Sequence, residues 1–369
     1  MGKCRFLYNN LITDESMLTV SSLRTGLVTA ALKEGTGSAT LNPSGNYSGS
    51  TDKEYILEID SIAGGAEVGQ ATFRWSDGGG SWNAVGVTTS ATNITLNSGV
   101  QVNWSSGAGA DFVLGDKWYL KGINLFNAGK MLDLDRDHRY RSKDLEPPNT
   151  ITIDLGSAQE VKALAIYDHN FTATATLLLE ADDAATFDSG GGGAAQFSEA
   201  VAWADEKILH YLSAATAKRH WRLSVTDAAN TDGYIEIGEL LLGSYMEMSR
   251  TFSNGFSENI EYLMQSNTTS YGIRRDRFYN TRATWLFNFN VMDAADVSLM
   301  RTLLAAITDR ATGKFNPFYF NKDSASPSDF YLVRLGRATP GQLQGLPIKH
   351  RVRTYYDMPL TMVEVLRSV

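Results

Sequence analysis

The sequence predicts a mainly β protein of several domains, and three observations carry that expectation. The length of 369 residues exceeds the ~100–200 of an ordinary domain, so two or three units are expected. Gly 33 against Pro 8, with 11% aromatics, suits many short strands joined by glycine turns. Apolar and polar residues alternate at period 2 between Gly/Ser/Asn/Asp clusters in segment after segment. Hydrophobic residues make up 43% and charged residues 20%, enough to bury real cores.

Composition also excludes. Lys+Arg 33 against Asp+Glu 41 gives a net charge of −8 with no strongly basic run. That argues against nucleic-acid recognition, because phosphate binding needs clustered cations. A single cysteine, Cys4, excludes an intramolecular disulfide framework and a Cys-based zinc site. The start, MGKCRFLYNN, has an apolar stretch too short for a signal peptide, and no window approaches ~18 apolar residues. The expectation is a soluble protein made in a reducing cytoplasm, with no membrane insertion.

Residues 35–121 form the first distinct segment. Alternation from Tyr55 to Ile59, then ATFRWSDGGGSW and ATNITLNSGVQVNWSS, predicts antiparallel strands and a small β-sandwich. Trp75, Trp82, Trp104 and Trp118 fall here, as core rings or as a sugar-binding platform. Trp82, beside GGG, is the one expected at the surface and the candidate glycan contact. In 122–245, NTITIDLG, VKALAIYDHN, ATATLLLEADD, RHWRLSVTDA and GYIEIGELLLG read as successive strands. DSGGGGAAQF is a loop and not a phosphate cradle, since no helix or Lys-Ser/Thr follows the glycines. In 246–369, YMEMSRTFSNGFSENIEYL and ATWLFNFNVMD predict strands. Val297, Met300, Leu303, Leu304 and Ile307 then make one apolar stripe on a helix N-capped by Asp293, and further strands follow.

Two resemblances organise these segments. Ser21-Ser22, then Leu132, Asp133, Asp135, Arg139 and Tyr140, then Ile151 to Gly156, resemble a discoidin-like (galactose-binding-like) β-sandwich. That resemblance implies one sandwich made of 1–34 plus 122–245, interrupted by 35–121 as an inserted small β-domain. Insertion at a loop is tolerated when the guest's ends lie close together. The order of strands, one helix and strands in 246–369 resembles the tail-tube and distal-tail-protein fold of long-tailed phages, a β-barrel or sandwich that assembles into rings.

The candidate sites follow. Asp133, Asp135 and Asp137 with Asp144 have EF-hand spacing, but His138 and Asp144 stand where that loop wants Gly and Glu. The discoidin resemblance implies instead one structural Ca²⁺ between Asp135 and Glu236, with Glu239 in reserve. The alternative is that these carboxylates pair with Arg136, Arg139 and Arg141. No other cofactor is implied. His138, His169, His210, His220 and His350 show no metal-ligand spacing. Asp168–His169 lacks a nucleophile elbow, and neighbours on a strand face opposite ways. Asp182–Asp183 could pose as glycosidase carboxylates, but sequence cannot place them across a sugar. No catalytic residue is assigned. Arg274, Arg275 and Arg277 read as a loop that either contacts a neighbouring subunit or is simply solvated.

The resemblances together imply a non-enzymatic virion protein of a phage tail, a distal-tail or baseplate ring, assembled in the host cytoplasm. Its partners would be copies of itself in a ring, the tail's tube, hub and receptor-binding proteins, and a host surface glycan. The alternatives are a tail-tube subunit with decoration domains, a stand-alone carbohydrate-binding protein, and a glycan-cleaving enzyme.

Overall fold

A computed structural model describes residues 2–49, 51–78, 80–134, 138–250, 252, 256–268, 274–309, 314–336, 349–352 and 355–365. Among the described residues the chain is mainly β with one α-helix. It begins with β1 (Arg5–Asn10) and β2 (Leu18–Val20).

The inserted unit then opens with β3 (Leu27–Val28), β4 (Leu32–Glu34) and β5 (Thr40–Gly45). It continues through β6 (Lys53–Ser61), β7 (Thr72–Ser76), β8 (Ala84–Thr88) and β9 (Ile94–Thr95). It closes with β10 (Val100–Ser105) and β11 (Lys117–Ile123). One sheet runs β3-β11-β6-β7-β8 with β4 also on β11, and it faces the sheet β5-β10-β9. Period-2 alternation sends Tyr55, Leu57 and Ile59 inward and leaves Glu54 and Glu58 on the other face. Trp104 is the hub of this core, with Phe73 at 4.7 Å and Phe112 and Trp118 each at 6.1 Å between ring centres.

The insert starts earlier than position 35, because residues 27–34 already pair with β11. Strands of two and three residues are too short to show alternation. Leu27 pairs with Ile123 and Val28 with Gly122, so the guest's two ends are hydrogen-bonded to each other. Gly122 is obligatory there, since a Cβ would lie 2.4 Å from the Tyr47 ring. Replacing 27–123 by a short glycine linker should therefore leave a cooperatively folded remainder. A calorimetric trace that loses its remaining transition would contradict this.

The sandwich comprises β2, β12 (Tyr140–Arg141), β13 (Asn149–His169), β14 (Thr176–Asp182), β15 (Phe197–Val201), β16 (Lys207–Thr226) and β17 (Glu236–Glu247). The segments NTITIDLG and VKALAIYDHN, read as two strands, are one bent strand. The β13–β16 register shifts between Asp154 and Gln159, and Gly156 has φ +74°. The first half of β13 pairs with β2, the second with β17, and β16 accompanies both. Ile153, Leu164, Ile166, Leu179, Trp221, Leu223 and Leu242 fill the space between.

The C-terminal unit has β18 (Ser257–Thr268), β19 (Arg274–Met292), α1 (Ala294–Ile307), β20 (Thr308–Asp309) and β21 (Lys314–Phe315). After these come β22 (Phe318–Asn321), β23 (Phe330–Leu335), β24 (Lys349–Val352) and β25 (Tyr355–Glu364). The Asp293 carboxylate accepts from the Asp296 amide at 2.8 Å, and Val297, Met300, Leu303 and Ile307 are buried against the sheet. Its main sheet is an open path from β22 to β18 and not a closed barrel.

Residues 1–34 do not belong to the sandwich alone. β1 is hydrogen-bonded to β17 on one side and to β22 on the other, so both units share one sheet ordered β15-β14-β16-β13-β17-β1-β22-β23-β25-β19-β18. Cys4 and Phe6 enter the C-terminal core, while Leu7 joins Ala163, Ala165, Tyr319 and Phe330 beneath the seam. Arg5 lies between the rings of Tyr211 and Tyr245, at 4.1 and 4.0 Å, and donates to Glu247 at 2.8 Å. Burial pushes the Cys4 thiol up to about 12, so it packs as an apolar residue.

Candidate binding and assembly surfaces

Glu236 opens β17, beside β12, through the pairs Tyr140–Ile237 and Arg141–Glu236. That pairing brings two guanidiniums onto one carboxylate. Arg139 Nη1 donates to Oε1 and Arg141 Nε to Oε2, each at 2.5 Å. Both oxygens thus serve arginines, which is not the arrangement of a cation ligand. Asp135 lies outside the described residues. Among those described, no cluster of three His, Cys, Asp or Glu could hold a metal. Glu239 is 1% exposed and lines a cavity of 120 Å³ with Leu7, Asn10, Phe318 and Tyr319, and with Leu132 and Leu134 of the turn.

Arg274, Arg275 and Arg277 fall in β19 and not in a loop. They pair with Thr268, Asn267 and Gln265 of β18, and their side chains lie outside the described residues. Together β18 and β19 form a long arm at the edge of the shared sheet, where β18 has no strand beyond it among the described residues. The register Ile260–Ala283 and Tyr262–Thr281 puts Ile260 and Tyr262 on the face that Trp285 and Phe287 present to the core. Trp285 and Phe287 are fully buried, yet Ile260 is 58% exposed, Tyr262 63% and Phe278 56%. The apolar face continues past its own cover. The strand is legible in the local pattern, but where the helix and core stop covering it is set by distant residues.

Trp82 is 37% exposed, and the Arg74 guanidinium lies 4.3 Å from its ring centre. Arg74 donates to Glu58 at 2.8 Å, with Lys117 3.7 Å from the same carboxylate. One ring face is thereby backed by a cation. The other three tryptophans of this unit, Trp75, Trp104 and Trp118, are core residues.

The catalytic-looking pairs are structural. His169 Nε2 donates to the Ala204 carbonyl at 3.0 Å, and Nδ1 accepts from the Phe171 amide at 3.1 Å. The ring stacks on Phe171 at 4.4 Å, and burial lowers its pKa to about 4. The unfolded chain takes up this proton near pH 6.5, whereas the folded chain resists until about pH 4. Stability should therefore fall as the pH drops through that window and level off below it, and His169→Gln should flatten the fall. Urea midpoints at pH 7, 5 and 4 measure this; equal slopes for both proteins would contradict it. Asp182 accepts from the Ala184 and Ser189 amides, while Asp183 pairs with Lys218 at 2.7 Å, so the two carboxylates do not face each other as a pair. Among the described residues no helix is long and apolar enough to cross a membrane.

No family model matches the chain, and no curated protein matches it. Among solved structures it is similar to a Ruminococcus gnavus GH29 fucosidase in complex with fucose, at 16% identity and TM-score 0.27. That match covers 34% of this chain and 23% of the other, so the chain spans about a quarter of the fucosidase's length. It is similar to chitosan-binding module 1 of a Paenibacillus sp. IK-5 chitosanase/glucanase, at 15% identity and TM-score 0.26, over 32% of this chain and 86% of the module. A Streptococcus pneumoniae fucose-binding module gives 14% identity and TM-score 0.24, over 32% of this chain and 84% of that one. The likeness extends to about a third of this chain.

Proposed function

We propose that this chain is a non-enzymatic structural subunit of a phage-tail-like particle, joining copies of itself into a ring through the arm formed by β18 and β19. The observation that carries this reading is the uncovered apolar face of Ile260, Tyr262 and Phe278 at a sheet edge. An exposed apolar edge strand in a monomer invites uncontrolled pairing, and natural proteins retain one where a partner covers it. Burying each of these side chains is worth about 1–2 kcal/mol, and one arm repeats at every subunit contact. Arg274, Arg275 and Arg277 begin the same β19 strand and are assigned to the same contact.

In this reading the sandwich and the insert project from the ring as display modules, contacting other tail proteins or a surface glycan. Trp82, exposed and backed by Arg74, supports the glycan role. Electron microscopy of the purified chain tests the assembly: closed rings are expected. Dispersed single particles at concentrations well above micromolar would favour a stand-alone carbohydrate-binding protein.

A further inference from the structure

The sheet that bears the arm carries one unpartnered charge on each of its two faces. Glu258, Ile260 and Tyr262 lie on the face of Trp285, through the pairs Glu258–Trp285, Ile260–Ala283 and Tyr262–Thr281. Glu258 is exposed beside the uncovered Ile260 and Tyr262, and it forms no ion pair or hydrogen bond among the described residues. The opposite face holds Arg334, Val363 and Arg282. Arg334 pairs with Val363 and Val363 with Thr284, and Arg282 lies two residues before Thr284 on β19. Leu263, next to Tyr262 on β18, shares this second face.

On that face a cleft of 530 Å³ is lined by Leu263, Val363, Val365, Arg282, Arg334 and Glu364. Arg282 Nε donates to Glu261 at 3.0 Å, and Glu364 Oε2 accepts from the Ala283 amide at 3.2 Å. Arg334 is exposed and forms no ion pair or hydrogen bond among the described residues. The two arginines and two glutamates cancel, so the cleft does not call for a free anion. It leaves open the directional fork of one guanidinium beside the apolar side chains of Leu263, Val363 and Val365. A fitting partner offers one carboxylate set among uncharged apolar side chains. The first face of the same sheet has that composition, with Glu258 next to Ile260 and Tyr262. Within one chain the two cannot meet, because the sheet itself separates them. Between two chains they can, opposite charge to opposite charge and apolar surface to apolar surface.

We infer that the face of Glu258, Ile260 and Tyr262 on one copy docks on the Arg334 cleft of a second copy, with Glu258 against Arg334. This rests on the reading of the arm as the subunit contact and names the surface it meets on the neighbour. The two patches differ, so the contact is head to tail, and each row of copies keeps one of each free until it closes on itself. A contact of the first face with its own copy would leave both clefts unfilled.

Sedimentation velocity of the full chain over a concentration series tests the inference. Glu258→Arg and Arg334→Glu each set like charges against each other and should weaken self-association about tenfold or more. The double reversal restores opposite charges and should return association to within a few fold of the unmodified chain. Both positions are exposed, so all four proteins should share one circular dichroism spectrum. If a reversal fails to fold, Glu258→Gln and Arg334→Gln keep the size and remove only the charge. Combined, these two should weaken association no more than either alone, since each already breaks the pair, and additive losses would overturn the docking. A multimer indifferent to both reversals, or a double reversal no better than the single ones, would overturn it and leave the ring reading standing. An unmodified chain that stays monomeric would overturn both.

Discussion

Phe6→Ala should unfold the C-terminal unit, although the first strand of that unit, β18, begins only at Ser257. Phe6 is fully buried and packs on Phe289, Phe318 and Phe320, with ring centres 6.3, 6.2 and 5.0 Å away. Truncating such a ring costs about 3–5 kcal/mol, a large part of the ~5–15 kcal/mol that holds a domain folded. Phe6 also lies in the strand that joins the two halves of the sheet, opposite Met246 and Phe320. Loosening β1 therefore exposes two further strand edges as well as a cavity. The insert has its own core and no residue of β1 in it, so it should survive. Limited proteolysis should cut the variant first beyond residue 246 and leave a stable fragment near 27–123. Cleavage that matches the unmodified chain would show that β1 is dispensable.

Glu236→Ala should be nearly as costly. The carboxylate is buried and holds Arg139 and Arg141, whose side chains are 14% and 30% exposed. Removing one member of a buried ion pair typically costs about 3–5 kcal/mol, because the remaining charge is left desolvated. Arg141 is exposed enough to find water, so the lower end, about 3 kcal/mol, is expected. Glu236→Gln keeps one acceptor oxygen and should lose less. Calcium and a chelator should leave the melting curve of the unmodified chain in place, since both carboxylate oxygens already serve guanidiniums. A melting temperature that falls in chelator and returns with calcium would restore the metal reading.

What was legible in the sequence is what local pattern encodes. Alternation at Tyr55, Leu57 and Ile59 marked an inward face, and the three-and-four spacing from Val297 to Ile307 marked the helix and its stripe. The Asp293 cap was visible because its partner amide lies three residues on. What was not legible depends on partners far away in sequence. RFLYNN carries nothing that says its neighbours are residues 243–247 and 319–321. The bend of β13 near Gly156 looked like a strand end, because a glycine stops alternation whether the chain turns back or merely bends. The Arg139, Arg141 and Glu236 cluster was named from a resemblance, but which charges would meet was decided by the β12–β17 pairing.

The central claim is that the uncovered face of the arm joins one subunit to the next, and the mass of the particle in solution tests it most directly. Light scattering on the unmodified chain and on the double variant Ile260→Glu, Phe278→Glu compares the same fold with and without that apolar face. Both residues are more than half exposed, so the monomer should keep its circular dichroism spectrum and melting temperature. The account predicts a discrete multimer for the unmodified chain and the mass of one chain, 40.4 kDa, for the variant. A folded variant with the same multimeric mass as the unmodified chain, or an unmodified chain that stays monomeric, would contradict it.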